Sequence, residues 1–376
     1  MCDEFTAIPR IRSRYNEVVK SSDVIVVGAG VIGLSLAWKL QKAGLHVQII
    51  DRAEPAHEAS HAAAGMIAVC DPHNDAAIQP LAEMSAALYP NFVHELEDES
   101  RMKVDLRDEG VITFLDPTSY SSLHAESQAL NPRELAILEA GIAHRDHAYF
   151  LPERWVDPRL LCTALVSAVK HRGATVTGGS PVVGIKPLED LGLAVQTEQT
   201  TYYAPAVVNC AGAWAGQLGP TSVPTRPVKG QMLSVVPIAN PEPHRPVLHH
   251  VVRAPEVYLV PRSDGRIIIG STLEEAGFDK NINPDVIQQL HHAAAAFVPA
   301  VKDMRIHEVW TGLRPGTPDG RPLLGSTSLN GYFVAAGHYR DGIMLAPVTA
   351  DLLSALILGQ DPGCDLRPFA PNRFQR

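Results

Sequence analysis

Apolar positions follow two rhythms along the chain. In the first fifty residues an unbroken apolar run, Val24-Ile25-Val26-Val27, ends at Gly28. A second run spans His46 to Asp51. Between them Val31 to Gly44 carries apolar residues at helical spacing and closes on a glycine. Short continuous apolar runs bounded by turn residues read as buried strands, and the segment between them as a helix, so this region predicts a βαβ unit. Residues 71–101 turn helical, with Leu81, Met84, Leu88 and Phe92 three or four apart. Glu109 to Phe114 reads as a strand. Asn131-Pro132-Arg133-Glu134 opens a further helix, because proline suits the first helical position, where an N–H is not needed. Asp157 is placed to cap a helix over 159–171, and strands follow at 175–177 and 206–209. From 225 to 272 the rhythm changes. The runs 231–236, 257–262 and 266–272 are strand-like, and Ser263-Asp264-Gly265 supplies hairpin chemistry between the last two.

A block of hairpin-linked strands does not continue a parallel sheet. The expected fold class is therefore α/β (α+β overall): a discontinuous Rossmann-like dinucleotide-binding domain with an inserted antiparallel β-sheet domain for substrate. The nucleotide-binding part is expected over 22–100, 156–225 and 305–365, and the inserted part over 101–155 and 226–304. Residues 1–21 read as a polar leader and 366–376 as a tail.

The 376 residues carry a net charge of −9 and a pI near 6.0, with 45% hydrophobic and 19% charged residues. This is ordinary globular composition with no electrostatic footprint for nucleic acid or an anionic membrane. Cys2, Cys70, Cys162, Cys210 and Cys364 are odd in number, far apart and without a CxxC pair. They read as free thiols in a reducing compartment. The acidic start, Met1-Cys2-Asp3-Glu4-Phe5, does not read as a signal peptide, and the longest apolar stretch, Val24 to Trp38, is too short to span a bilayer. The expected location is the cytoplasm. His249-His250 and His291-His292 have no carboxylates at metal spacing, so no metal is expected.

Gly28-Ala29-Gly30-Val31-Ile32-Gly33 is G-x-G-x-x-G between a strand and a helix, with Asp51 ending the next strand. In such a unit the first glycine makes the tight turn, the second admits a pyrophosphate to the backbone, and the third lets helix and sheet pack closely. The helix N-terminus faces the phosphates, and the acid accepts from ribose hydroxyls and disfavours a 2′-phosphate. FAD and NAD share this fingerprint. Three later features favour FAD. The small residues of Ala59 to Met66 permit close approach to a large planar group. Val207 to Trp214 is a strand running into a small-residue turn. Gly337 to Ile343 follows the strand Tyr332–Ala335 and is expected to open a helix whose N-terminus faces the flavin. Cofactor contacts are thus expected from Gly28, Gly30, Val31, Ile32, Gly33, Asp51 and Arg52, and from Ser60, His61, Ala63, Ala64, Gly65 and Met66. Val182, Ala211, Gly212 and Trp214 form a second edge. Gly337, His338, Tyr339, Arg340, Asp341, Gly342, Ile343 and Met344 form a third.

Ser60 to Met66, Trp310-Thr-Gly-Leu-Arg314-Pro-Gly-Thr-Pro-Asp-Gly320 and Gly337-His-Tyr-Arg340-Asp-Gly342 together resemble the D-amino-acid oxidase family of FAD-dependent oxidoreductases over about residues 22–360. Within that family the resemblance is to the glycine oxidases of thiamine biosynthesis. The resemblance implies that Arg314 binds a substrate carboxylate, that Tyr258 shares it, and that Arg340 lies beside the substrate, with a backbone carbonyl of that turn holding the amine. It also implies a homo-oligomer, a homotetramer, with molecular oxygen as second substrate. Leu273 stands where methionine is usual, Asp341 where asparagine is usual, and Lys229-Gly230-Gln231 replaces Arg-Gly-Gln. Relatives that oxidise N-methylated glycines attach flavin through a histidine near His61, but His61 is four residues before Gly65, one more than that pattern has, so non-covalent FAD is expected. The implied activity is oxidative deamination of glycine to glyoxylate, ammonia and hydrogen peroxide. Sarcosine or another N-methylamino acid, a small D-amino acid, a dehydrogenase serving a carrier, and a non-catalytic flavin module remain alternatives.

Overall fold

The computed structural model describes residues 22–71, 74–115, 127–143, 146–188, 192–238 and 246–375. The expected leader and Cys2 lie outside them. Val24–Val27 forms the centre of a six-stranded sheet. Val47–Ile50 and Thr175–Thr177 lie to one side, Ala206–Asn209 and Tyr332–Ala336 to the other, all parallel, with Leu323–Ser326 antiparallel at the edge. Alternate residues of the central strand feed two cores. Val24 and Val26 pack with helices Val31–Lys42, Pro158–His171 and Ala346–Ile357. Ile25 and Val27 pack toward a three-stranded antiparallel layer formed by Val182–Leu188, Gly192–Thr197 and Thr201–Ala204. Coverage of both faces is why the strand is an unbroken apolar run. The first helix stops as expected: Gly44, at φ 87°, donates to the Gln41 carbonyl and Leu45 to that of Leu40, a left-handed glycine cap.

The second sheet has eight strands in the order Arg305–Gly316, Arg226–Val236, Ile267–Gly270, Tyr258–Pro261, Val251–Arg253, Val111–Phe114, Ala148–Leu151, Gln128–Leu130. All neighbours are antiparallel except Val251–Arg253 against Val111–Phe114. The Ser263-Asp264-Gly265 turn joins two of them, with Gly265 at φ 86°. Helix Pro284–Phe297 covers one face through Ile287, Leu290 and Ala294. Arg305–Gly316, expected in the nucleotide-binding part, instead pairs along its length with Arg226–Val236, so that part resumes after Gly316. Its strand partner lies some eighty residues upstream.

Three further expectations change. The helix expected from residue 71 begins at Gln79 and ends at Ser100. Its inward stripe is Leu81, Ser85, Tyr89, Val93 and Leu96, while Met84 is 39% exposed. Two polar groups sit in that stripe because each has a carbonyl to serve: Ser85 Oγ donates to Met344 O and Tyr89 Oη to Ile343 O, both at 2.6 Å. The helix expected to open at Gly337 begins at Ala346. Asp341 to Leu345 makes a single turn, closed by Leu345 N–H to Asp341 O at 2.8 Å, and the N–H of Ala346 goes to Ile343 O. Pro347 has no N–H to continue the ladder at that point. Finally, residues 366–375 are docked rather than trailing. Phe369 is buried, and Arg373 makes two bonds of 2.9 Å to Asp319.

The sheets meet through a short segment. Met66–Ile67 and Leu106–Arg107 pair on either side of Arg154–Val156, Trp155 Nε1 donates to Pro261 O at 3.1 Å, and Arg262 Nη2 donates to Ala64 O at 2.7 Å. Replacing Tyr89 by Phe removes the shorter of two bonds to the Ile343 carbonyl and leaves it the Ala346 N–H alone. The expected loss is about 1–2 kcal/mol, read by chemical denaturation. A stability equal to wild type would mean that water serves the carbonyl equally well.

Candidate active site

Between the two sheets lies a cleft of about 1230 Å³. At one end the glycine turn is built as the fingerprint requires. Gly28 has φ 108°, and a Cβ there would overlap the Cys210 carbonyl. Gly33 does not line the cleft; a Cβ on it would overlap the Gly28 carbonyl, so its part is packing. Val31 N–H, at the helix start, donates to Ser60 Oγ at 2.9 Å. Asp51 accepts from Ala29 N–H at 2.6 Å and Ala53 N–H at 2.9 Å. Burial raises its carboxyl above the ordinary aspartate value, and these bonds oppose the rise. Arg52 lies over the Trp214 ring, 4.3 Å from its centroid. The helix start, the small residues Ala63, Ala64, Gly65, Ala211 and Gly212, and the size of the cleft suit a dinucleotide. A Cβ at Gly65, φ 88°, would overlap Val156 O.

Val182, Met66, Ile32 and Gly30 also face the cleft, but His61 does not. Its ring stacks on His57 at 5.1 Å, beside a small crevice formed with Asp157, Arg159 and Trp310.

The turn after Tyr332–Ala336 forms the middle wall. His338, Tyr339, Arg340, Asp341, Gly342 and Ile343 line the cleft; Gly337 and Met344 do not. Tyr339 sits at φ 50° and donates its N–H to Pro315 O at 3.0 Å. His338 is buried with Nε2 3.1 Å from Thr349 Oγ1, and burial pushes it down to about 3, so the ring is neutral. Arg340 is exposed at the cleft wall and donates to Asp71 at 2.7 Å. Burial first, then the Asp71 charge, pushes the Asp341 carboxyl up to about 7, with Arg340 opposing.

At the other end, hydrogen-bonded register puts Met232, Gly270, Tyr258, Arg253 and Thr113 in one row across the second sheet. All five line the cleft. Tyr258 leans over Gly270, where a Cβ would lie 2.5 Å from its Oη, and reaches Met232 Sδ at 3.7 Å. Arg314 donates from Nη1 to Thr272 O at 3.1 Å and from Nη2 to Ser271 Oγ at 2.6 Å. A Cβ at Gly230 would overlap its guanidinium. No carboxylate among the described residues pairs with Arg314, whereas Arg253 faces Glu153 at 3.4 Å and Arg340 faces Asp71. The cleft thus brings Tyr258, Arg314 and Arg340 into one space. Gly270, Ser271, Thr272, Arg253 and Asp71 were not singled out from the sequence, and Gly230 was noted only within Lys229-Gly230-Gln231. The two glycines carried a signal, since glycine inside a strand often marks close approach of another group.

Among the described residues no cluster of His, Cys, Asp or Glu is arranged to hold a metal, and no helix is long and apolar enough to cross a membrane.

A family model described as FAD dependent oxidoreductase matches residues 23–356. The chain is 35% identical to the bifunctional protein ThiO/ThiG of Synechocystis sp. over 94% of its own length and 54% of that protein's, so it spans about half of that relative. It is 33% identical to the glycine oxidase of Pseudomonas aeruginosa, over 93% of this chain and 99% of that one. The solved structure of glycine oxidase from Geobacillus kaustophilus matches with a TM-score of 0.88 at 32% identity, covering 94% of this chain and 99% of that chain.

The raised carboxyl of Asp341 has a measurable consequence. A folded value of about 7 exceeds the unfolded aspartate value, so between about pH 4 and 7 the unfolded chain releases a proton that the folded one keeps. Stability should therefore fall as pH rises through that window and level off above it. Asp341→Asn has no such proton, and its Tm should decline less across the same range. Parallel Tm–pH curves for the two proteins would show that the carboxyl titrates normally.

Proposed function

Because the chain belongs to the FAD dependent oxidoreductase family, we propose that it oxidises glycine, converting glycine, water and molecular oxygen to glyoxylate, ammonia and hydrogen peroxide. The observation that carries this reading is Arg314: a guanidinium facing the cleft beside Tyr258 with no acid of its own among the described residues. A carboxylate drawn out of water needs a cation and hydrogen bonds to meet its charge, and the planar guanidinium fork matches it. Likeness to glycine oxidases along nearly the full length of both chains supports the choice of substrate.

FAD, when bound, supplies the two-electron acceptor. The chain's own work is orientation. Arg314 holds the carboxylate, and the Tyr258 hydroxyl is the second donor. A carbonyl of the Gly337–Gly342 turn takes an N–H of the neutral amine, which points the α-carbon toward the cofactor; such alignment accounts for much of the rate in reactions of this kind. Arg340, already paired with Asp71, stands at the side of the cleft. The residues of the first sheet hold the cofactor without a covalent bond, since His61 faces away from the cleft.

Two experiments test the reading. Arg314→Ala removes one partner of a buried charged pair, worth about 2–5 kcal/mol, so kcat/KM for glycine should fall roughly 30-fold to several thousandfold with FAD content retained. Arg314→Lys should recover only part, because an ammonium lacks the fork. Near-wild-type glycine turnover by Arg314→Ala would shift the anchor to Arg340, and loss of FAD would make Arg314 a cofactor support. Separately, acid precipitation should release the yellow chromophore into the supernatant; colour retained in the pellet would point to attachment through His61.

A further inference from the structure

The seat of Arg314 is assembled from two backbone stretches that are tied together by side chains, most of which do not line the cleft. One stretch, around Thr272, offers the carbonyl that accepts from Arg314 Nη1. The other, Lys229 to Gln231, contains Gly230, whose missing side chain makes room for the guanidinium. Lys229 and Glu274 exchange backbone bonds, N–H to carbonyl in both directions at 2.9 Å, and Thr272 N–H reaches Gln231 O at 3.4 Å.

The side chains complete the tie, and the direction of each bond is determined. Thr272 Oγ1 accepts from the Gln231 backbone N–H at 2.9 Å. Its own proton then goes to Glu274 Oε1, an acceptor only. Gln231 Oε1 accepts from Asn283 N–H at 2.7 Å, which orients the amide so that Nε2 donates to the same Glu274 oxygen at 2.9 Å. Lys229, with its side chain 4% exposed, stands 3.7 Å from Glu274 and 3.3 Å from Asp279. Burial pushes the Glu274 carboxyl up, but the Thr272 and Gln231 bonds and the Lys229 charge hold it below the ordinary glutamate value, so it remains a charged acceptor. Closed networks of this kind polarise and stiffen one another. Gly230 and Thr272 line the cleft; Lys229, Gln231 and Glu274 do not.

Two of the five guanidinium donors are spent on Thr272 O and Ser271 Oγ, which leaves three for a ligand. Which edge of the fork faces the cleft therefore depends on where the Thr272 carbonyl stands. We propose that Thr272 and Glu274 are positioning residues: the hydroxyl–carboxylate clamp between them aims Arg314 at the substrate carboxylate, and so sets how tightly an anionic ligand is held rather than how fast a bound one reacts. This rests on Arg314 as the carboxylate anchor.

The test uses the FAD-loaded enzyme and Thr272→Val, Thr272→Ser and Glu274→Gln. Thr272→Val keeps the shape and loses the hydroxyl, and is expected to raise KM for glycine about tenfold with kcat within about threefold of wild type. Thr272→Ser restores the hydroxyl and should return KM to within about threefold. Glu274→Gln should raise KM several-fold in the same manner. Acetate, which cannot be oxidised in this way, is titrated against the flavin absorbance as a probe of the seat alone, and its Kd should move in step with KM. Unchanged KM and acetate Kd in Thr272→Val would overturn the proposal. So would a Thr272→Ser variant as impaired as Thr272→Val, or a loss confined to kcat or FAD content. Arg314→Ala in the same acetate titration separates the premise from the proposal: if it leaves acetate binding intact, the anchor reading has failed. Absence of glycine turnover alongside normal acetate binding would refute the choice of substrate and leave the clamp standing.

Discussion

The guanidinium of Arg262, 6% exposed, donates to the Ala64 carbonyl and faces Asp157 at 3.4 Å. Asp157 also accepts from the Arg159 and Leu160 N–H groups and so caps the helix Pro158–His171. One cation on the second sheet thereby fastens the small-residue loop of the first and the start of a helix packed beneath it. Burying such a pair is expensive on its own account, and losing one partner typically costs about 3–5 kcal/mol because the other charge is stranded. The cleft depends on this fastening. Its two walls belong to different sheets, and the distance between the cofactor cradle and the substrate row is set where those sheets are tied.

Polarity inside the cleft follows from how each charge is compensated. Arg340 is answered by Asp71 and Arg253 by Glu153, while His338 is neutral through burial. Of the four arginines lining the cleft, Arg52 lies over the Trp214 ring at the cofactor end, and Arg314, at the substrate end, is held by neutral acceptors, a carbonyl and a hydroxyl. Neutral acceptors orient a guanidinium without cancelling its field, so Arg314 keeps its positive potential at the end where the substrate row lies. A charge already paired with a carboxylate offers much less to an incoming anion.

Much of this was legible where the cause is local. The βαβ unit is written in consecutive residues, with apolar runs, three glycines and an acid at a fixed distance. The hairpin at Ser263-Asp264-Gly265 is a local turn as well. Arg314 and Tyr258 were found through motif resemblance rather than periodicity, since nothing in spacing alone distinguishes an anchoring arginine from a surface one. What stayed hidden was non-local. Ser85 and Tyr89 look like the polar face of a helix until the Met344 and Ile343 carbonyls arrive from more than two hundred residues away. Arg305–Gly316 carries no mark of which sheet it joins, because a strand's partner is not encoded in its own pattern. Asp71 and Arg340 are likewise neighbours only in the finished fold.

The order of strands in the first sheet also bears on how the molecule comes into being. Neighbouring strands at its heart are drawn from residues 24–27, 206–209 and 332–336. During synthesis Val24–Val27 and Val47–Ile50 emerge together, but the edge that Ala206–Asn209 will cover stays bare until more than 150 further residues have been made. The wall carrying Arg340 comes later still. Pairings of such long sequence separation form slowly and leave apolar edges open meanwhile. A chain lacking residues 332–343 has a nucleotide turn with no opposite wall to close on.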